Sequence, residues 1–206
     1  MPTRSTPRGV QAANGAGQVG RATRDTGGRL SGDGGTSLTI ALDGMGGDAA
    51  PGIVVEGAAL ALESQPDLAF VLFGDREKLE PLVAARPRLA ERASLRHTPD
   101  AVASDAKPAH ALRQNRNSSM RLAVNAVKDG EAAAAVSAGN TGALMAMAKF
   151  VLKTLPGVDR PAIASVLPAR QRPVVMLDLG ANVECSSENL FQFAVMGEVF
   201  ARVMLG

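Results

Sequence analysis

Three apolar runs in this chain end in short glycine-containing turns: Asp43-Gly44-Met45-Gly46-Gly47-Asp48, Ala138-Gly139-Asn140-Thr141-Gly142 and Asp178-Leu179-Gly180-Ala181-Asn182. Glycine lets main-chain N–H groups come close to an anion, and a helix that starts just after the turn adds positive potential. These residue types therefore suit a phosphate held by backbone groups. Asn117-Ser118-Ser119-Met120-Arg121 is a fourth candidate. It offers two hydroxyls and the free N–H groups of a helix start, with Arg113, Arg116 and Arg121 near enough in sequence to add charge-assisted bonds. Each segment also has a plainer reading. Glycine-rich turns between strand and helix are commonly just tight turns, and Asn or Ser at a helix start is commonly just an N-cap. None of the segments fits the three-glycine dinucleotide fingerprint or the nucleotide P-loop with its Lys-Ser/Thr ending. That argues against a nicotinamide or ATP enzyme.

Composition narrows the chemistry further. One cysteine excludes a disulfide framework and any multi-cysteine zinc or iron–sulfur site, and two histidines leave few ways to make a metal site; no metal is expected and, with no nucleotide fingerprint, no cofactor. Cys185 has no histidine near it in sequence and reads as an inert thiol. No Gly-x-Ser-x-Gly elbow supports a serine nucleophile. Aromatic residues make up only 3%, with no Trp and no Tyr. A single-strand nucleic-acid platform needs exposed rings for stacking, so no nucleic-acid partner is expected. The pI near 9 does not contradict this. Residues 1–37 hold Arg4, Arg8, Arg21, Arg24 and Arg29 against Asp25 and Asp33, which leaves the other residues close to neutral.

The elements that must carry these turns are legible from Leu38 onward. Leu38–Leu42, Leu68–Phe73, Ala93–His97, Ala132–Ser137, Ile163–Leu167 and Val174–Leu179 read as strands. Helical stretches run from Pro51 to about Ser64, over Arg76–Ala85 with a stop near Pro87, over Ser118–Lys128, over Ala143–Leu155, and from about Ser187 to the end. Residues 99–108 read as a loop. Strand and helix alternate, which predicts an α/β layered sheet, mostly parallel. The link between the last two strands is too short for a helical crossover, so one antiparallel neighbour is expected. In an open parallel sheet the ligand sits outside the carboxyl ends of the strands. The three turns are therefore expected to line one cleft.

The flanks carry less. Residues 1–37 contain nine of the 22 glycines and almost no large apolar residue. They read as a disordered basic tail or a misassigned start. A transit peptide is the competing reading, but the glycines interrupt any amphipathic pattern. No secretion signal and no membrane span are apparent. The last helix is apolar nearly all round and wants burial on all sides. That predicts a truncated chain or one that needs a partner.

Together the motifs resemble those of the bacterial phosphate acyltransferases, the PlsX family. The likeness covers nearly all of residues 38–206. It rests on the Asp43–Asp48 turn with Pro51, on Asn117-Ser118-Ser119-Met120, on Ser137–Met145, on Leu177–Val183 and on Gln192–Gly197. Two positions depart from the family pattern. Ala49 stands where the family commonly has His, and Gln114-Asn115-Arg116 stands where it commonly has Arg-Lys-Lys. Both changes remove potential phosphate or carrier-protein contacts.

The resemblance implies a three-layer α/β/α sandwich like that of the isocitrate and isopropylmalate dehydrogenases, here incomplete at the C-terminus. It implies transfer of a fatty acyl group from acyl carrier protein to inorganic phosphate, giving an acyl phosphate for phospholipid synthesis. It also implies a homodimer in the cytoplasm, associated peripherally with the membrane surface. The phosphate-binding residues are then Gly46, Gly47, Asp48, Ser118, Ser119 and Thr141. The amide of Asn140 or Asn182 is the expected oxyanion donor, and Asp43 or Asp48 could orient a donor. Two other functions compete: a non-catalytic dimerising or membrane-docking fragment, and a coenzyme A-dependent phosphotransacylase.

Overall fold

The computed structural model describes residues 37–180, 182 and 184–206; the expected tail lies outside the described residues, apart from Ser37. Four strands form the central sheet: β1 (Leu38–Asp43), β2 (Leu68–Gly74), β3 (Ala93–His97) and β4 (Ala134–Val136). All pair in parallel, in the order β3-β2-β1-β4. Alternation along β1 and β2 sends their side chains to opposite faces. Leu42, Phe70 and Leu72 pack against α1 (Gly52–Ser64), α2 (Arg76–Ala84) and α3 (Pro87–Arg92) through Val55, Ala58, Leu62, Leu79, Val83 and Leu89. Ala41, Val71 and Phe73 face α5 (Ser119–Lys128) through Ala123 and Ala126. Both faces of β1 and β2 are covered, as central strands of a parallel sheet require, while β4 at the edge stays largely exposed. This is the expected α/β architecture.

Behind α5 stand α4 (Pro108–Gln114) and α6 (Thr141–Leu152), joined to it through Ala111, Met120, Ala143 and Met147. A second unit follows, made of β5 (Ala164–Leu167), β6 (Val174–Leu177) and α7 (Ser187–Leu205). The β5–β6 pair is antiparallel, as its short link demands, but it forms a sheet of its own instead of joining the central one.

Two prolines act differently from expectation. Pro87 opens α3 instead of only ending α2, and Pro108 opens α4 at the end of the stretch read as loop. At the first helical position proline lacks only an N–H that would have had no partner, and its φ is already helical.

From β1 the chain builds β2 and then β3 on one side, and β4 returns to the other side. The switch point therefore lies between the carboxyl ends of β1 and β4, where a crevice opens in sheets of this kind. Leu72 sits at the centre of the larger core and is fully buried. Leu72→Ala is expected to cost about 2–5 kcal/mol of unfolding free energy, read from the urea midpoint.

Candidate active site at the switch point

Asp43 ends β1 with its side chain buried, and Ser137 lies one residue past β4. The Ser137 hydroxyl donates to Asp43 Oδ2 at 2.7 Å and accepts the Gly139 N–H at 3.0 Å. Met45 N donates to Asp43 Oδ1 at 3.4 Å, and Gly46 N donates to the Asp43 carbonyl at 3.3 Å. The β1 turn and the β4 turn are thus tied together beneath the cleft. Gly46 is required here. A Cβ would run into Asp43 Oδ2 and lie 2.9 Å from Ser137 Oγ. Gly47 has φ 104°, a region that side chains rarely adopt.

Above this floor opens a polar cleft of about 520 Å³. Met45, Gly47 and Asp48 line it from the β1 turn, Ala138–Thr141 from the β4 turn, and Val102 and Ser104 from the loop before α4. The N–H groups of Gly47, Asp48, Thr141 and Gly142 meet no acceptor among the described residues. Thr141 and Gly142 form the first turn of α6, where free N–H groups and the helix dipole favour an anion.

The expected site residues divide. Gly47, Asp48 and Thr141 line the cleft, and Gly46 lies in its floor. Asn140 also lines it, but its amide is already engaged. Nδ2 donates to the carbonyls of Ser104 at 2.8 Å and Ala106 at 2.9 Å, with Ala103 at 3.4 Å, while Oδ1 caps α6 by accepting Ala143 N. Its two amide hydrogens hold the loop wall and leave none for a substrate oxygen.

Ser118 and Ser119 are buried and do not line the cleft. Ser118 is the N-cap of α5, accepting Arg121 N and donating to the Asn115 carbonyl. Ser119 N donates to the Asp100 carbonyl, and Thr98 Oγ1 donates to the Asn117 carbonyl at 2.6 Å. These bonds fasten the 98–106 loop to the start of α5. Both serines support the site without touching its cavity.

Nor do the arginines reach the cleft. Arg121 stacks its guanidinium over Phe150, 5.4 Å from the ring centre, and bonds Asn125 Oδ1. Burial, and then the charge of Arg116, push its pKa down.

The third turn belongs to the second unit. Asn182 donates its amide to the Pro161 carbonyl and to Asp178 Oδ1. Neither Asn182 nor Gly180 lines the cleft, so only two of the three glycine turns converge there.

The model of the family described as fatty acid synthesis protein matches residues 38–206, the whole of the described fold bar one residue. The chain belongs to that family. Its relatives include proteins named phosphate acyltransferase. The one from Rhodospirillum centenum is 64% identical over 81% of this chain and 47% of its own length. Those from Rhodospirillum rubrum and Paramagnetospirillum magneticum are 57% and 56% identical over 82% of this chain and 48% of their own lengths. The chain spans about half the length of these curated relatives, as the resemblance implied.

For this member of the fatty acid synthesis protein family, sequence reasoning passed over Ser137 and the wall residues Val102 and Ser104. Ser137 had a signal: a hydroxyl directly before a glycine turn at a strand end. The wall residues had none, because a fold over some 35 residues of chain brings them to Asn140.

Cys185 lies outside the cleft, half-buried, with Sγ 3.5 Å from Asp178 Oδ2. Desolvation, and then the hydrogen bond and charge of Asp178, push its thiol pKa up against a smaller opposing pull from Arg160. At pH 7.5 its thiolate fraction is therefore below that of free cysteine. Iodoacetamide should alkylate it more slowly than free cysteine, with a rate that climbs about tenfold per pH unit toward its pKa. For Gly46→Ala, the new methyl must push Asp43 and Ser137 apart. A loss of about 1–3 kcal/mol is expected in the urea midpoint.

Proposed function

We propose that residues 38–206 supply the phosphate-holding part of an enzyme that moves a fatty acyl group from acyl carrier protein to inorganic phosphate. The product is an acyl phosphate for phospholipid synthesis. One observation carries this reading: the crevice at the switch point is lined by Gly47 and Asp48 of the β1 turn and by Thr141 at the start of α6, whose main-chain N–H groups meet no acceptor among the described residues. The family and the names of the relatives support it.

The chemistry asks for placement more than for reactive side chains. A thioester is already activated, so no metal and no cofactor is needed. A phosphate oxygen attacks the acyl carbonyl carbon to give a tetrahedral intermediate. The C–S bond then breaks, and the carrier leaves as a thiolate that takes up a proton. Holding the dianion against the carbonyl lowers the barrier by orientation, and excluding water protects the product. A backbone N–H suits the oxyanion better than Asn140 does, since Asn140 is occupied by the 103–106 loop. One such donor is typically worth about 3 kcal/mol. Asp48 is exposed at the cleft wall, where its charge opposes an anion and sets an upper limit on phosphate affinity.

The assembled enzyme is read as a cytoplasmic homodimer at the membrane surface. Exposed Phe191, Val195, Val199 and Val203 on α7 support burial of that helix in an assembly. No helix among the described residues is long and apolar enough to cross a membrane.

The test offers the intact protein palmitoyl carrier protein, palmitoyl coenzyme A or acetyl coenzyme A, each with phosphate, and traps acyl phosphate as the hydroxamate. Phosphate-dependent product from palmitoyl carrier protein is expected. Product from a coenzyme A thioester alone makes this a coenzyme A-dependent transacylase. No product from any donor makes it a non-catalytic protein.

A further inference from the structure

We propose that Asp43 is the positioning residue of the cleft. Its carboxylate fixes the direction of the Ser137 hydroxyl, which fixes the Gly139 turn, so the two turns bind an anion as one rigid unit. This rests on the phosphate reading above and goes beyond it by assigning the group that sets the binding geometry.

The argument is one of donors and acceptors. A carboxylate only accepts hydrogen bonds. Two donors converge on Asp43, Ser137 Oγ–H at 2.7 Å and Met45 N–H at 3.4 Å, one to each oxygen. The Ser137 hydrogen must therefore point at Asp43, which turns its lone pairs outward to accept Gly139 N–H at 3.0 Å. That removes the Gly139 N–H from the cleft and holds the backbone that leads into Thr141 and Gly142. On the other side, Met45 N–H and Gly46 N–H are both turned in toward Asp43. Gly47 and Asp48, next in the chain, are left with their N–H groups unpaired. A buried carboxylate is costly unless hydrogen-bonded, so this arrangement is rigid. The ideal Cβ of Gly139 would stand 3.3 Å from Gly46 Cα, which shows how closely the turns are drawn together.

Charge and position predict opposite outcomes for Asp43→Asn. As a nearby negative charge, Asp43 repels phosphate, and neutralising it should tighten binding. As a positioning group, it must accept on both oxygens. The amide cannot do that: with its NH₂ toward Met45 N–H two donors meet, and with its NH₂ toward Ser137 the hydroxyl must accept and its own hydrogen loses its fixed direction.

The experiment is calorimetric titration of the intact protein with inorganic phosphate, alongside thermal melting. Asp43→Asn and Ser137→Ala are each expected to weaken phosphate binding about tenfold, the cost of one lost buried hydrogen bond. The double variant should be scarcely weaker than either single one, and Ser137→Thr, which keeps the hydroxyl, should restore most of the affinity. KM for the acyl donor should stay within about twofold while KM for phosphate rises.

Tighter binding by Asp43→Asn, or additive losses in the double variant, overturns the proposal and leaves the phosphate reading intact. Absence of phosphate binding by the unaltered protein at millimolar concentration overturns both. Should Ser137→Ala melt far below the unaltered protein, the decision passes to Asp43→Asn and Ser137→Thr. Loss of affinity in the first and its retention in the second support the proposal, and equal affinity in both overturns it.

Discussion

The hydrogen bond from Ser137 to Asp43 joins residues 94 apart in the chain, and the geometry of the cleft depends on it. Strands β1 and β4 are neighbours only because the chain reverses direction across the sheet after β3. At such a reversal two strand ends diverge and leave a crevice whose walls nothing local ties together. Here the tie is a buried carboxylate that gains its hydrogen bonds from both walls. Without those bonds a group of this kind would be too costly to bury. Gly46 is glycine for the same reason, since any side chain there would occupy the space in which the two groups meet.

The two faces of the sheet beneath the cleft are packed differently. The face of the sheet toward α5 is lined by Ala41, and α5 answers with Ala123 and Ala126. Val71 and Phe73 fill the same face beside Ala41, so large side chains from the sheet meet small ones from the helix. Met120, in the first turn of α5, lies under the β4 turn, where its Cε would stand 3.1 Å from a Gly139 Cβ. The opposite face is filled by Leu42, Phe70, Leu72, Leu79 and Leu89, which supply most of the apolar burial. The face toward α1–α3 is filled from both sides by large apolar side chains, and the face toward α5 pairs Val71 and Phe73 of the sheet with helix alanines.

A site made of main-chain N–H groups fits the near-neutral charge of residues 38–206. In the proposed reading, attraction for an anion comes from oriented dipoles and a helix start, which hold their direction without ordering long side chains. Asn140 shows how polar side chains are used around it. Its amide holds the 103–106 loop and its carbonyl caps α6, so it fixes two walls at once. Ser118 and Thr98 fasten the other end of that loop to α5. These polar side chains bond the walls of the cleft to one another.

Much of this was legible in the residue order. Short apolar runs marked the strands, Pro51 marked the start of α1, helical spacing marked α5, α6 and α7, and glycine turns after strands marked the sheet edge. These are local signals, decided by side-chain sequence within a few residues. The prolines were ambiguous because a proline that stops one helix and a proline that starts the next look the same in sequence. What the sequence determined by itself was an alternating α/β chain with glycine turns at the strand ends. Only the tertiary structure decided that two of those turns share a cleft while the third stands on a separate hairpin. It alone decided that Asn140 and Ser118 serve the framework, and that Asp43 meets Ser137. The physical reason is that partner choice for a polar group depends on which other groups are left without water around it. That is set by contacts across dozens of residues, not by neighbours in the chain.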